Sequence, residues 1–364
     1  MKHPFFSAAN ERFRAEVRAF VEREWQPHAD RWERRRGFPR EVIAACGQRG
    51  YLSLDPWRNA VLAEELPRCE SLGVALSVFV QSNLVAPLLE KLGTPEQKDA
   101  WLKPLVRGEL MGAMAVSEPV AGSDFASMKS AARVVRGQFV LNGRKTYITN
   151  GSCADFLIVA ARTTDGLSLL IVPAKTRCVR VRKLDMLGLH TSAAGELSFA
   201  DCHVPTSNLL GGQGAGFGYI QEALNRERLL GGLAVVAWAQ YALEKTREFA
   251  RTREAFGKPL AKFQAIRHQF AEMATLLEAA RQLNYATFVR WVEGDDVTKQ
   301  IYMIKLFSYQ SVQRVIEQCL QIHGGAGYLA ECWVSRFYRD ARALTIAAGT
   351  PEIMRDLIAT HLRL

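Results

Sequence analysis

No two of the seven cysteines, Cys46, Cys69, Cys153, Cys178, Cys202, Cys319 and Cys332, stand in C-x-x-C spacing. Odd in number and scattered, they read as reduced thiols, which excludes a disulfide-stapled scaffold and a zinc site. Nor does any apolar run approach the roughly 20 residues that cross a bilayer. The opening stretch MKHPFFSAANERFRAEVRAF is broken by charge too early for a secretory leader, so the expected location is the cytoplasm. A dinucleotide loop is missing as well. In GGQGAGFG, residues 211–218, no frame gives G-x-G-x-x-G, and the segment reads as a hinge. Acid is also missing from TIAAGTPEIMRD, residues 345–356. There Thr350 is a good N-cap and Pro351 a good first helical residue, so the following N–H groups suit a phosphate or a developing oxyanion. Yet the two residues before Gly349 are Ala347 and Ala348.

What is present is ample core material, 48% hydrophobic residues in a chain of 364, and an excess of base that gives a formal charge of +10. The basic clusters RWERRRGFPR and KTRCVRVRK lack the aromatic interleaving of a single-strand-binding surface. They read either as a solvated basic face or as attraction for an anionic cofactor, coenzyme A or an acidic carrier protein.

Periodicity divides the chain in three: a helical unit over residues 1–110, a small β unit over 111–215 and a helical bundle over 216–364. Turn signals at Arg136-Gly137, Asn142-Gly143 and Asn150-Gly151 punctuate the β unit. The last unit reads as four helices: one to about Arg251, one through Gly294, one from Val297 to about Ile322, and one from Thr350. Helix, sheet, helix in that order is α+β, not the alternation of a doubly wound fold. Between the first two units, Ser117, Gly122 and Ser123 offer hydroxyls and unobstructed N–H groups, fit for a phosphate or flavin or for a plain turn. His323, in QIHGGAGY, reads as a buried, satisfied imidazole, and the glycines there either end a helix or admit a ligand.

Seven segments in order, AVSEPVAGSD, LNGRKTYITNG, GELSFADCHVP, RTREAFGKPLAKFQAI, QIHGGAGY, YRDARA and AAGTPEIMR, resemble the acyl-CoA dehydrogenases over nearly the whole chain. The resemblance implies a helical N-terminal domain, a β-barrel-like middle domain, a C-terminal four-helix bundle, and FAD held in a homotetramer of paired dimers. By position it implies that Val116 and Ser117 meet the flavin ring, Ser123 its pyrophosphate, Tyr147 the ring's neighbourhood and Thr149 its N5 side. Arg253, Phe256, Gln264, Gln321 and Gly325 would hold the ADP part from a neighbouring subunit. Thr350 would touch the cofactor and Arg228 the substrate.

The family's reaction needs a carboxylate within about 3 Å of the proton it takes. Many members supply it at the position of Ala348. In the subset typified by isovaleryl- and long-chain acyl-CoA dehydrogenases it precedes an Arg on the first bundle helix, and here QEALNRERLLGG places Glu227 before Arg228. The apolar positions Ile220, Leu224 and Leu230 mark a buried side, Gly231-Gly232 would leave room for a bulky ligand, and an apolar setting would raise the pKa of Glu227. Surface solvation between Arg226 and Arg228 is the competing reading. The backbone at Ala348 would polarise the thioester carbonyl.

Two departures matter. The segment GQRGYLSLDPWRNAVLAEELPRCESLG is shorter than the family's usual run, which reshapes the substrate mouth and suits an acyl group on an acidic carrier, as in members from polyketide and peptide biosynthesis. Loss of acid at Ala348 also suits members that hydroxylate with reduced flavin and oxygen, although Glu227 argues against that chemistry.

Overall fold

The computed structural model describes residues 5–364. Its N-terminal unit holds α1 (Ala8–Glu24), α2 (Ala29–Arg35), α3 (Glu41–Gln48), α4 (Pro56–Glu65), α5 (Leu72–Val80), α6 (Ala86–Leu92), α7 (Pro95–Gln97) and α8 (Lys103–Val106). Local chemistry fixes several starts. The Ser7 side chain accepts from Asn10 N–H before α1, and Asp55 caps α4 ahead of Pro56. Thr94 and Gln97 close a reciprocal capping box. Arg14 and Arg18 of α1 hold the buried Glu64 and Glu65 of α4 at 2.5 and 2.9 Å, which turns a pair of acids on a core helix into a fastening.

The run Leu72–Leu92 corrects one expectation. It is long and apolar enough to span a membrane by length and composition, with mean hydropathy 1.8 over its most apolar 18 residues, but 89% of those residues are buried inside the protein. Between α5 and α6 the backbone takes a π turn at Gln81–Val85. Gln81 there donates to Gly112 O (2.8 Å) and accepts from Gly112 N (2.9 Å), so this core helix sets the position of the first strand.

That strand is β1 (Gly112–Ala115). It is followed by β2 (Ala131–Val135), β3 (Gln138–Ile148), β4 (Phe156–Thr163), β5 (Gly166–Pro173), β6 (Val179–Lys183), β7 (Gly195–Pro205) and β8 (Leu209–Leu210). The order is β6-β7-β3-β2-β4-β5-β8, with β1 parallel to β4. Strand β4 is buried from Phe156 to Ala161, an apolar run covered on both faces rather than an alternating one. Arg136-Gly137 makes the β2–β3 turn and Asn150-Gly151 a turn after β3, both with positive φ at the first residue. Asn142-Gly143 is no turn. It lies inside β3 at a register shift against β7, where a Cβ on Gly143 would sit 2.1 Å from Ser130 Oγ. Two cysteines also depart from expectation. Cys178 and Cys202 form a disulfide with Cα atoms 5.2 Å apart, because the sheet brings together residues that no local spacing links. Five thiols remain free.

The C-terminal unit has α9 (Gly216–Thr252), the hairpin β9 (Glu254–Ala255) and β10 (Lys258–Pro259), then α10 (Gln264–Val292), α11 (Thr298–Gly327), α12 (Trp333–Ile346) and α13 (Pro351–His361). Five helices replace the four expected. In α12, Val334, Phe337, Ala341 and Thr345 are buried at helical spacing against the bundle. Helix α11 continues past Ile322 with a break at Gly324 (φ 57°, ψ −143°) instead of ending there. The 211–218 segment is a packed joint: a Cβ on Gly214 would meet Asp165 O at 2.4 Å and one on Gly216 Leu167 O at 2.7 Å.

Candidate active site

Glu227 lies in the fourth turn of α9. Ala223, one turn earlier on the same helix face, lines a cavity of about 630 Å³, as do Asn225 and Arg226. The cavity runs between the start of α9, the π turn at Ser82, Asn83 and Leu84, and the α10–α11 connection, with Leu52, Ser53 and Leu54 of the shortened segment in its wall. Glu227 is not itself a wall residue and turns toward α11. Solvent reaches part of it, yet protein crowds it closely, and no hydrogen-bond partner for its carboxyl occurs among the described residues. Burial raises its pKa above the ordinary 4.5, and the positive charges of Lys305 and Arg228 offset part of that rise.

Lys305 is a residue the sequence reading passed over. It projects from α11, buried, donates to Leu344 O and has its Nζ 3.7 Å from the centre of the Tyr309 ring. Burial pulls its ammonium down to about 7, against the attraction of Glu227. A charged residue in mid-helix gives no sequence sign of facing inward, so only the i, i+4 match of Lys305 with the aromatic Tyr309 could have signalled it.

The Gly231-Gly232 pair does not make room for a ligand. A Cβ on Gly231 would lie 2.3 Å from Tyr309 Oη and one on Gly232 2.5 Å from Ile304 Cγ2, so the two glycines let α9 and α11 approach closely. Arg228, expected against substrate, has two of its three guanidinium nitrogens engaged by the protein. Nε donates to Ala348 O at 2.8 Å and Nη1 to Asn225 Oδ1 at 2.9 Å. It thereby fastens the loop between α12 and α13 beside Glu227. In that loop Ala348 adopts φ 55°, and the N–H groups of Ala348 and Gly349 find no partner among the described residues. Thr350 caps α13 by accepting from Ile353 N–H, as its sequence position suggests.

A second group forms where β1 runs out. Thr146 N donates to Ser117 O (2.9 Å) and Lys145 Nζ to Val116 O (2.9 Å), so Val116 and Ser117 are held against the end of β3, where Tyr147 and Thr149 follow in the chain. Glu118, another residue missed, staples the loop by accepting from Lys129 N–H, Ser130 N–H and Lys145. Burial alone would raise its pKa, but these bonds outweigh burial and hold it at about 2. Ser123 stands exposed on that loop. Tyr147 is 65% exposed with φ 59°, an open aromatic face that fits a flat polar ring.

Arg253, Phe256 and Gln264 cluster around the β9–β10 hairpin, and the stacked Phe249 and His323 rings, 4.2 Å apart, bring Gln321 and Gly325 to the same end of the bundle. His323 Nδ1 is 2.7 Å from Cys319 O and the ring is buried, a satisfied imidazole. This end is not brought to Glu227. Along α9, at 1.5 Å per residue, Arg253 lies roughly 40 Å beyond it.

Comparison with known proteins matches three consecutive family descriptions: acyl-CoA dehydrogenase N-terminal domain over residues 7–109, middle domain over 113–202 and C-terminal domain over 214–363. The chain belongs to the acyl-CoA dehydrogenase family. Mouse (Mus musculus) short-chain specific acyl-CoA dehydrogenase is 35% identical over 96% of this chain and 89% of its own. An acyl-CoA dehydrogenase from Geobacillus kaustophilus superposes with TM-score 0.95 at 35% identity over 100% of both chains. The prolyl acyl carrier protein oxidase AnaB superposes with TM-score 0.93 at 27% identity, covering 99% of this chain and 100% of its own. As an acyl-CoA dehydrogenase family member the protein is an oxidoreductase of acyl thioester CH–CH bonds with FAD as cofactor. A Mycobacterium smegmatis glutaryl-CoA dehydrogenase of the same fold, 26% identical with TM-score 0.92 over 98% of this chain and 95% of its own, is described in complex with FADH2.

Proposed function

We propose that the protein dehydrogenates an acyl thioester between its α and β carbons, with Glu227 as the base that takes the α proton. The observation that carries this reading is a carboxyl without a hydrogen-bond partner among the described residues, its pKa raised by burial, beside a substrate-sized cavity and a loop that has no acid of its own. The unpaired N–H groups of Ala348 and Gly349, held in place by the bond from Arg228 to Ala348 O, would receive the thioester oxygen and favour its developing negative charge. Bound FAD supplies the acceptor for the hydride that leaves the β carbon. Val116, Ser117, Tyr147 and Thr149 would hold its ring, Ser123 its pyrophosphate and Thr350 its nearby hydroxyls. The 40 Å gap along α9 supports an ADP site built by a partner copy from Arg253, Phe256, Gln264, Gln321 and Gly325, hence a dimer or tetramer.

The acyl group rides on CoA or on an acidic carrier protein in the cytoplasm. The net charge of +10 suits either, and the shortened segment in the cavity wall, with AnaB as a structural neighbour, supports a carrier in a biosynthetic route. Purified holoenzyme mixed anaerobically with matched acyl-CoA and acyl-carrier panels should lose its yellow colour with the true substrate. In Glu227→Gln the flavin should stay bound while reduction slows by roughly 10²–10⁴. Reduction at an undiminished rate in that variant overturns the assignment. Bleaching that occurs only after an external reductant supports the oxygen-using alternative instead.

A further inference from the structure

One residue before the base, Arg226 lines the same cavity and forms no ion pair among the described residues. Its Nε is sealed from solvent without a hydrogen-bond partner among those residues. Its guanidinium carbon lies 5.5 Å from the centre of the Trp291 ring, a contact that orients the group without neutralising it. The other charges in the cavity wall are engaged. Lys91 pairs with Glu222 at 2.5 Å, Asp295 with Arg290 at 2.8 Å, Glu90 with Lys98 at 3.7 Å, and the exposed Asp296 accepts from Thr298 N–H at 3.0 Å. Burial disfavours the charged form of Arg226, with Glu222 only partly compensating. A desolvated guanidinium is costly unless an anion completes it, and its planar fork matches carboxylate and phosphate oxygens.

We infer that Arg226 is the anion-recognition residue of the substrate cavity, receiving an oxyanion carried by the thioester itself. That oxyanion is either a carboxylate at the far end of the acyl group or the phosphate of a phosphopantetheine arm. The inference rests on the thioester reading above and names the chemistry the cavity selects.

Three probes separate the sources: hexanoyl-pantetheine, which carries no anion; hexanoyl-4′-phosphopantetheine, which adds the phosphate; and the pantetheine monothioester of adipic acid, which adds a terminal carboxylate. Dissociation constants are measured by calorimetry on FAD-loaded Glu227→Gln protein, which binds without turnover, and on the same protein carrying Arg226→Leu or Arg226→Lys. The expected result is that one anionic probe binds more tightly than the neutral one. Arg226→Leu should erase that preference, by roughly tenfold or more, and Arg226→Lys should restore part of it, while the neutral probe changes little. The probe that responds identifies the source. Equal losses for all three probes mean that Arg226 only packs against Trp291, and this outcome overturns the inference, as does the absence of any preference for an anion or of any binding. Flavin bleaching in the enzyme with Glu227 intact is read separately. Anion preference without bleaching sinks the dehydrogenase reading and leaves Arg226 standing, whereas bleaching without anion preference does the reverse.

Discussion

Glu227, the proposed base, and Lys305 interact electrostatically across α9 and α11. The raised pKa of Glu227 means that it stays protonated where a solvated Glu is already ionised, and a protonated base cannot accept the substrate's proton. The kcat/KM of the dehydrogenase should therefore fall as pH drops through a value above 4.5. Lys305 moderates the rise because its positive charge favours the carboxylate. Removing that charge in Lys305→Met should push the Glu227 pKa further up and move the acid limb of the pH–rate profile to higher pH. A limb that stays in place in stopped-flow flavin reduction would mean that Lys305 is uncharged or does not act on Glu227. Arg228 acts differently at this scale, since its hydrogen bonds fix a backbone and not a proton.

The α9–α11 contact makes the site possible among the elements. Gly231 and Gly232 let the two helices close until Tyr309 and Ile304 occupy the volume that side chains on α9 would need. Gly232→Val should cost about 1–3 kcal/mol through overpacking, read as a lower denaturation midpoint with little change in slope. It should also slow flavin reduction, because Lys305 and Glu227 ride on the same two helices. A midpoint equal to that of the parent would show that the interface has slack. The π turn at Gln81–Val85 has a comparable role on the opposite side: it forms part of the cavity wall and, through Gln81, positions β1 and so the Ser117 end of the site.

For the whole molecule, two of the most exposed aromatic groups lie at the end of the bundle away from the cavity. Phe256 is 96% exposed and Tyr328 84%, both at the bundle end that carries Arg253 and Gln321. An aromatic so uncovered beside the residues proposed for the ADP part fits a surface that a second copy closes. Phe256→Asp should lower both the assembled mass in light scattering and the FAD retained per chain after gel filtration, leaving the fold intact by circular dichroism. Full FAD content in a monomeric variant would place the cofactor within one chain. The sequence alone determined the order of helical, β and helical units and the Thr350-Pro351 helix start, because caps and periodicity are written in neighbouring residues; it offered Glu227 as the candidate acid only through the resemblance of its motif to the family's. Only the tertiary structure decided that Cys178 meets Cys202, that α12 joins the bundle, that Lys305 interacts electrostatically with Glu227, that Arg228 grips the Ala348 loop and that Gly231-Gly232 close a gap instead of opening one. Each of these depends on which side of an element meets another, and that is settled by packing between segments far apart in the chain, which no local pattern encodes.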